Sequence, residues 1–108
     1  MLGRVREDVI PQVADMALQA EGAEWAVAAG IVGSNLVFSV RNLGYVRAAG
    51  EVVRAVVEGL GVGGGHRSMA KGIIPLKAFR KVYGKADRAQ IQSALYDAFV
   101  RAIHSDEG

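Results

Sequence analysis

The stretch Trp25-Ala26-Val27-Ala28-Ala29-Gly30-Ile31, then Gly33-Ser34-Asn35, then Leu36-Val37-Phe38-Ser39-Val40-Arg41, decides how this chain folds. Two apolar, partly β-branched runs split by a short glycine-containing turn read as an antiparallel hairpin. On the second strand a period of two places Leu36, Phe38 and Val40 on one face and Val37, Ser39 and Arg41 on the other. A serine and an arginine therefore project side by side at a strand end.

Upstream of the hairpin, Pro11 to Ala20 is expected to be a helix. Val13, Ala14, Ala17 and Leu18 would form its stripe, and the proline suits a first helical turn because its missing amide would have no partner there. Residues 1–10 read as an approach segment. Residues 1–20 together then read as an interdomain linker with its helix, and 21–108 as the domain proper.

Downstream, roughly Gly44 to Leu60 reads as a second helix, with Val46, Ala49, Val52, Val53, Val56, Val57 and Leu60 recurring at three and four. Asn42 fits as its N-cap and Gly59 or Gly61 as its stop. Gly50 costs about 1 kcal/mol against alanine in a helix interior, which close approach to a strand would explain. After a glycine loop, Met69 to Leu76 reads as a strand, with Pro75 confining it to a sheet edge or to the strand's last residues. Lys77 to Lys85 is a basic connection with room for a short turn of helix. Asp87 caps a final amphipathic helix carrying Ile91, Ala94, Leu95, Ala98, Phe99, Ala102 and Ile103 on one side. This order gives a single α/β domain, a small mixed β-sheet flanked by helices.

At 108 residues the chain is long enough for one core and too short for two. It has no cysteine, so disulfides and thiolate-held metals are excluded, and a cytoplasmic protein is expected. No apolar run approaches the roughly 18 residues of a membrane span, so no membrane partner is expected. The net charge of +2 is small, but its distribution is uneven. Residues 61–88 hold Arg67, Lys71, Lys77, Arg80, Lys81, Lys85 and Arg88 against Asp87 alone. That asymmetry suits an anionic ligand, or else marks a solvated basic face.

Gly63-Gly64-Gly65-His66 is the sharpest local signal. Three consecutive glycines forfeit packing and conformational entropy. They are explained either by bare amides held against a phosphate, with His66 beside it, or by a plain connection. Ser39 and Arg41 form the second signal, since a guanidinium fork and a hydroxyl on one strand face suit an oxyanion. The N-terminal amides of the following helix are expected to add to the same anion site. His66 and His104 are the only histidines, and His104 lies in the last turn of the final helix, where a cap or solvated role is expected. The chain offers neither a dinuclear metal centre nor a nucleophilic triad, so no catalytic residue and no metal ligand is assigned.

Ser39-Val40-Arg41, followed about twenty residues later by Gly-Gly-Gly-His and then Met69-Ala70, resembles the DHH-associated domain of DHH-family phosphoesterases. RecJ-type exonucleases, nano-RNases, cyclic-dinucleotide phosphodiesterases and exopolyphosphatases belong to that family. The similarity runs from about Trp25 to Leu76. It implies a substrate-binding domain for nucleotide or oligonucleotide phosphates. A separate catalytic domain of the same polypeptide would carry the Asp-His-His motif and manganese, so this chain alone would be inactive. Carried over by position, Ser39, Arg41, Gly63, Gly64, Gly65 and His66 match the family's phosphate contacts. Many members continue the loop as His-x-x-Ala-Ala-Gly. Here His66-Arg67-Ser68-Met69-Ala70-Lys71-Gly72 stands instead, which makes Arg67 and Lys71 further candidate contacts. The Met-Ala pair also resembles the C-terminal domain of alanyl-tRNA synthetases, which leaves a nucleic-acid-binding module as the alternative. A homodimer is left open.

Overall fold

The hairpin forms as the sequence indicates. In the computed structural model, which describes residues 12–20, 22–43 and 47–104, β2 (Ala23–Val32) pairs antiparallel with β3 (Asn35–Asn42) across a two-residue turn. Gly33 holds φ +61° there, a left-handed value that tight hairpin turns favour and glycine adopts without strain. Leu36, Phe38 and Val40 are buried, while Ser39 and Arg41 are exposed on the opposite face.

Residues 12–20 are not helical. They form β1 (Gln12–Ala20), an edge strand paired antiparallel with β2. Along it Asp15, Ala17 and Gln19 are exposed, Leu18 is buried and Met16 half-buried. That period of two was hidden by an abundance of good helix formers, whose propensities differ by only tenths of a kcal/mol. Ladder pairing along nearly the whole of β2 outweighs them. Residues 12–20 therefore belong to the sheet rather than to a linker, and residues 1–11 lie outside the described part.

From β3 the chain crosses through α1 (Ala49–Val57) to β4 (Val62–Gly65) and returns as β5 (Met69–Pro75). The sheet order is β1-β2-β3-β5-β4, with every neighbouring pair antiparallel. β3 and β4 run parallel to each other, but β5 lies between them. The α/β domain stands, and the expected mixed sheet becomes an antiparallel ladder with one split crossover. Pro75 is the last residue of the interior strand β5, where its missing amide interrupts no ladder. The glycine segment expected to be a loop is strand β4.

Two further helices follow, α2 (Leu76–Tyr83) within the basic connection and α3 (Arg88–Ile103). The Asp87 carboxylate caps α3 by accepting from the Gln90 amide at 2.9 Å. α1 buries Val52, Val53, Val56 and Val57, and α3 buries Ile91, Leu95, Phe99 and Ile103, in the same core as Trp25, Val27 and Phe38. The Phe38 and Phe99 rings meet edge to face at 5.7 Å, seating α3 on β3. The Arg47 guanidinium donates to the Ala102 carbonyl at 2.6 Å and lies 3.5 Å from Glu51. It thereby joins the end of α3 to the start of α1.

α1 is shorter than the sequence reading, and residues 44–46 of that reading lie outside the described part. Asn42 is not its N-cap. It is buried at the end of β3, its amide donating to the Ser68 carbonyl at 2.9 Å and its Nδ2 to the Arg47 carbonyl at 2.7 Å. The close approach anticipated for Gly50 is present: a Cβ there would lie 2.6 Å from the Gly65 carbonyl oxygen. Alanine is ordinarily the better helix former by about 1 kcal/mol. Gly50→Ala is nonetheless expected to lower stability by about 1–3 kcal/mol, because backbone stands in the way of the methyl group; urea unfolding reads the sign.

Candidate functional site

The helices cover one face of the sheet, and the candidate residues gather on the other. Ser39 pairs in register with Lys71 across β3 and β5, and Lys71 pairs with Gly64 across β5 and β4. Arg41 pairs with Met69. Side chains directly opposite in such a ladder have Cβ atoms about 5 Å apart, and diagonal neighbours about 7–8 Å. Ser39, Lys71 and Arg41 thus present a hydroxyl, an ammonium and a guanidinium to one patch of solvent. Ala26 and Ala28, on the β2 side of Arg41 and Ser39, keep that patch low. Asp15 is the acid in the Ser39 row, two strands away, or about 10 Å.

His66 and Arg67 lie on the turn between β4 and β5, both exposed. The Asn42–Ser68 hydrogen bond holds that turn against the end of β3 from which Arg41 emerges. One end of the sheet therefore brings together Arg41, His66 and Arg67, with Ser39 and Lys71 one pair further in.

The glycines divide by role. A Cβ at Gly63 would meet Val53 Cγ1 at 2.7 Å, and one at Gly65 would meet the Met69 carbonyl oxygen at 2.5 Å and the Ala70 Cβ at 2.7 Å. These two are glycine because α1 and β5 leave no room. Gly64 faces the open side, where the nearest neighbour of a Cβ would be the Arg54 guanidinium at 3.7 Å. β4 is also an edge strand. The His66 amide donates inward to the Met69 carbonyl at 2.7 Å, so ladder alternation turns the amides of Gly63 and Gly65 outward. The segment still offers bare donors, but along a sheet edge rather than from a loop.

The helix contribution expected at this site is absent. The Ala49 amide donates to the Arg67 carbonyl at 2.8 Å and the Gly50 amide to the His66 carbonyl at 2.9 Å. Those of Glu51 and Val52 donate to Ala48 at 3.1 and 3.2 Å. All four first-turn amides of α1 are taken by carbonyls, so none is left to meet an anion. Attraction here must come from side chains and strand edge.

Arg54 and Met69 were missed in the sequence. Arg54 reads there as one more exposed helix position, and only the crossover over β4 brings it beside Gly64. Met69, half-exposed next to Arg41, supplies an apolar surface within a cationic patch. Among the described residues no group of three or more His, Cys, Asp or Glu could hold a metal ion. His104 ends α3 with Nδ1 3.1 Å from the Val100 carbonyl. No helix among the described residues is long and apolar enough to cross a membrane.

Comparison with protein-family models, with curated proteins and with solved structures finds no match to this chain. The geometry separates two substitutions that look equivalent in sequence. Gly64→Ala is expected to change stability by no more than about 0.5 kcal/mol, whereas Gly65→Ala should cost about 1–3 kcal/mol. Paired denaturant titrations of the two variants check this.

Proposed function

We propose that this chain binds the phosphate of a nucleotide or short oligonucleotide on its open sheet face, as the substrate-binding domain of a DHH-type phosphoesterase. The observation that carries the reading is the meeting, through β5, of the Ser39–Arg41 strand with the Gly63–His66 segment at one end of one sheet. Such a meeting is what the resemblance requires of those two motifs, and β5 inserts Lys71 between them.

The chemistry follows from the donor set. The Arg41 guanidinium offers a planar fork to two phosphate oxygens, the stronger geometry for a phosphate contact. Lys71 supplies a second positive charge and the Ser39 hydroxyl a neutral donor. Arg54 and the outward amides of Gly63 and Gly65 lie on the far side of Lys71. Met69 gives a base or ribose an apolar surface beside the phosphate. No group among these is a nucleophile activated by a neighbouring base, so the role is recognition. Hydrolysis by manganese-bearing residues belongs, on this reading, to the Asp-His-His domain of the same polypeptide.

The test is a titration of the chain with adenosine monophosphate and a 5′-phosphorylated dinucleotide, followed by amide chemical shifts. Shifts are expected at Ser39, Gly64, Gly65, His66 and Lys71, and Arg41→Ala is expected to weaken binding about tenfold or more, the scale of a lost charge-assisted hydrogen bond. Saturable shifts confined to the helix side of the domain, or no shift at millimolar ligand, would overturn the reading.

A further inference from the structure

The basic run that drew attention in the sequence is split by the fold into two surfaces. Arg67 and Lys71 belong to the sheet site. Lys77, Arg80, Lys81, Lys85 and Arg88 do not: they lie on α2 and on the connection into α3, beyond the opposite end of β5. All five are exposed, and among the described residues none of their side chains forms an ion pair or hydrogen bond. We infer that this α2 surface is a second anion-binding site, distinct from the sheet face, that takes the phosphate backbone of RNA or DNA without regard to sequence.

Three observations support a ligand rather than a merely solvated face. Lys77, Arg80 and Lys81 stand at spacings of three and four, so they share one side of α2, while Leu76 and Phe79 are buried on the other. Gln90 Nε2 donates to the Tyr83 carbonyl at 2.7 Å, which ties the start of α3 to the end of α2 and keeps Arg88 beside the patch. One of the cations also stands where helix electrostatics disfavours it. Lys77 lies in the first turn of α2, which contains no acid and is preceded by Pro75. The partial positive charge of a helix N-terminus makes such a cation unfavourable. A bound polyanion offsets that cost.

The nearby acids only partly offset the patch. Against its five cations stand Asp87, whose carboxylate caps α3 by accepting from the Gln90 amide, and Glu58, across a groove that Val82 and Tyr83 share with the end of α1. A lipid surface fits poorly, because the apolar side of α2 is already buried and Val82 alone of its large apolar residues is strongly exposed. Lys77 to Lys81 rises about 6 Å along α2, and Lys85 and Arg88 extend the cations beyond it, so the patch faces more than one phosphate of a strand. The patch holds no exposed aromatic ring to stack a base, so contact is with backbone alone.

The experiment measures anisotropy of a labelled mixed-sequence 20-nucleotide strand titrated with the chain at two salt concentrations. Five proteins are compared: the unaltered chain, Lys77→Gln/Arg80→Gln/Lys81→Gln, Arg80→Glu/Lys81→Glu, Arg41→Ala, and the triple change combined with Arg41→Ala. Binding is expected to weaken steeply with salt and to be indifferent to sequence. The triple variant should lose at least tenfold in affinity, with the log–log salt slope shallower by about 2–3 and the melting temperature unchanged. A second variant, Arg80→Glu/Lys81→Glu, should lose more. Because the two surfaces lie at opposite ends of β5, the triple change should lose the same factor of affinity whether or not Arg41 is also replaced, and this holds even if the sheet face proves to bind nothing. Unaltered affinity in both α2 variants, loss confined to Arg41→Ala, or tighter binding to polyglutamate or anionic phospholipid vesicles than to the strand would overturn the inference.

Discussion

The contact on which the remaining geometry depends is backbone against backbone. α1 sits so close over β4 that Gly50 has no space for a methyl group beside the Gly65 backbone, nor Gly63 beside Val53. Two hydrogen bonds fix the approach, from the Ala49 and Gly50 amides to the carbonyls of Arg67 and His66. A helix start and a hairpin turn thus satisfy each other's unpaired groups without a side-chain cap, which explains why Ala48 can precede α1 with no capping oxygen. The same clamp holds His66 and Arg67 at the end of the sheet where Arg41 emerges. Glycine at position 63 follows from this packing, and at position 65 from the closeness of Met69 and Ala70 in β5, before either is anything else.

What the sequence makes legible is what local pattern controls. Alternation along residues 36–41 and a short glycine-containing turn at Gly33 identify the hairpin, and Asp87 with its apolar stripe identifies α3. These elements carry their own start, stop and period. β1 does not. Its helix-forming residues and the proline before it point the wrong way, and only a partner strand reveals its alternation. β4 is hidden for a related reason: glycine has no strand preference, and the demand for it arises from the helix that precedes it and the strand that follows it. Ser39, Arg41 and Lys71 are legible as residue types, but their shared row depends on β5 entering between β3 and β4. Arg54 reaches the site through that same crossover, which no spacing in the sequence discloses.

Loss of the α1 amides changes the electrostatics of the sheet face. A helix terminus would supply a fixed, unscreened partial charge aimed at one point. Arg41, Lys71 and Arg54 are instead exposed charges on flexible stems, whose attraction is screened over about 10 Å at moderate salt. What is fixed is the floor beneath them: paired strands, small side chains at Ala26, Ala28 and Gly64, and a pinned turn. On the proposed reading, such a surface would fix where a phosphate sits through Arg41's fork and the strand edge, and would leave the rest of the ligand loosely held.

The α2 surface differs in kind. It has no strand edge and no floor of paired strands, only cations along one side of a short helix whose other side is committed to the core. Charge without geometry attracts without selecting, and its strength rises with the number of phosphates in reach. The sheet face works the other way, with few charges and a defined register. On the proposed readings, a ligand bearing a single phosphate engages the sheet face alone, and a longer strand gains at α2 a contact that adds affinity and encounter rate but no discrimination. The chain concentrates most of its basic residues between positions 61 and 88, yet the fold sends them to opposite ends of β5. One basic run in the sequence therefore becomes two surfaces suited to different parts of the same class of molecule.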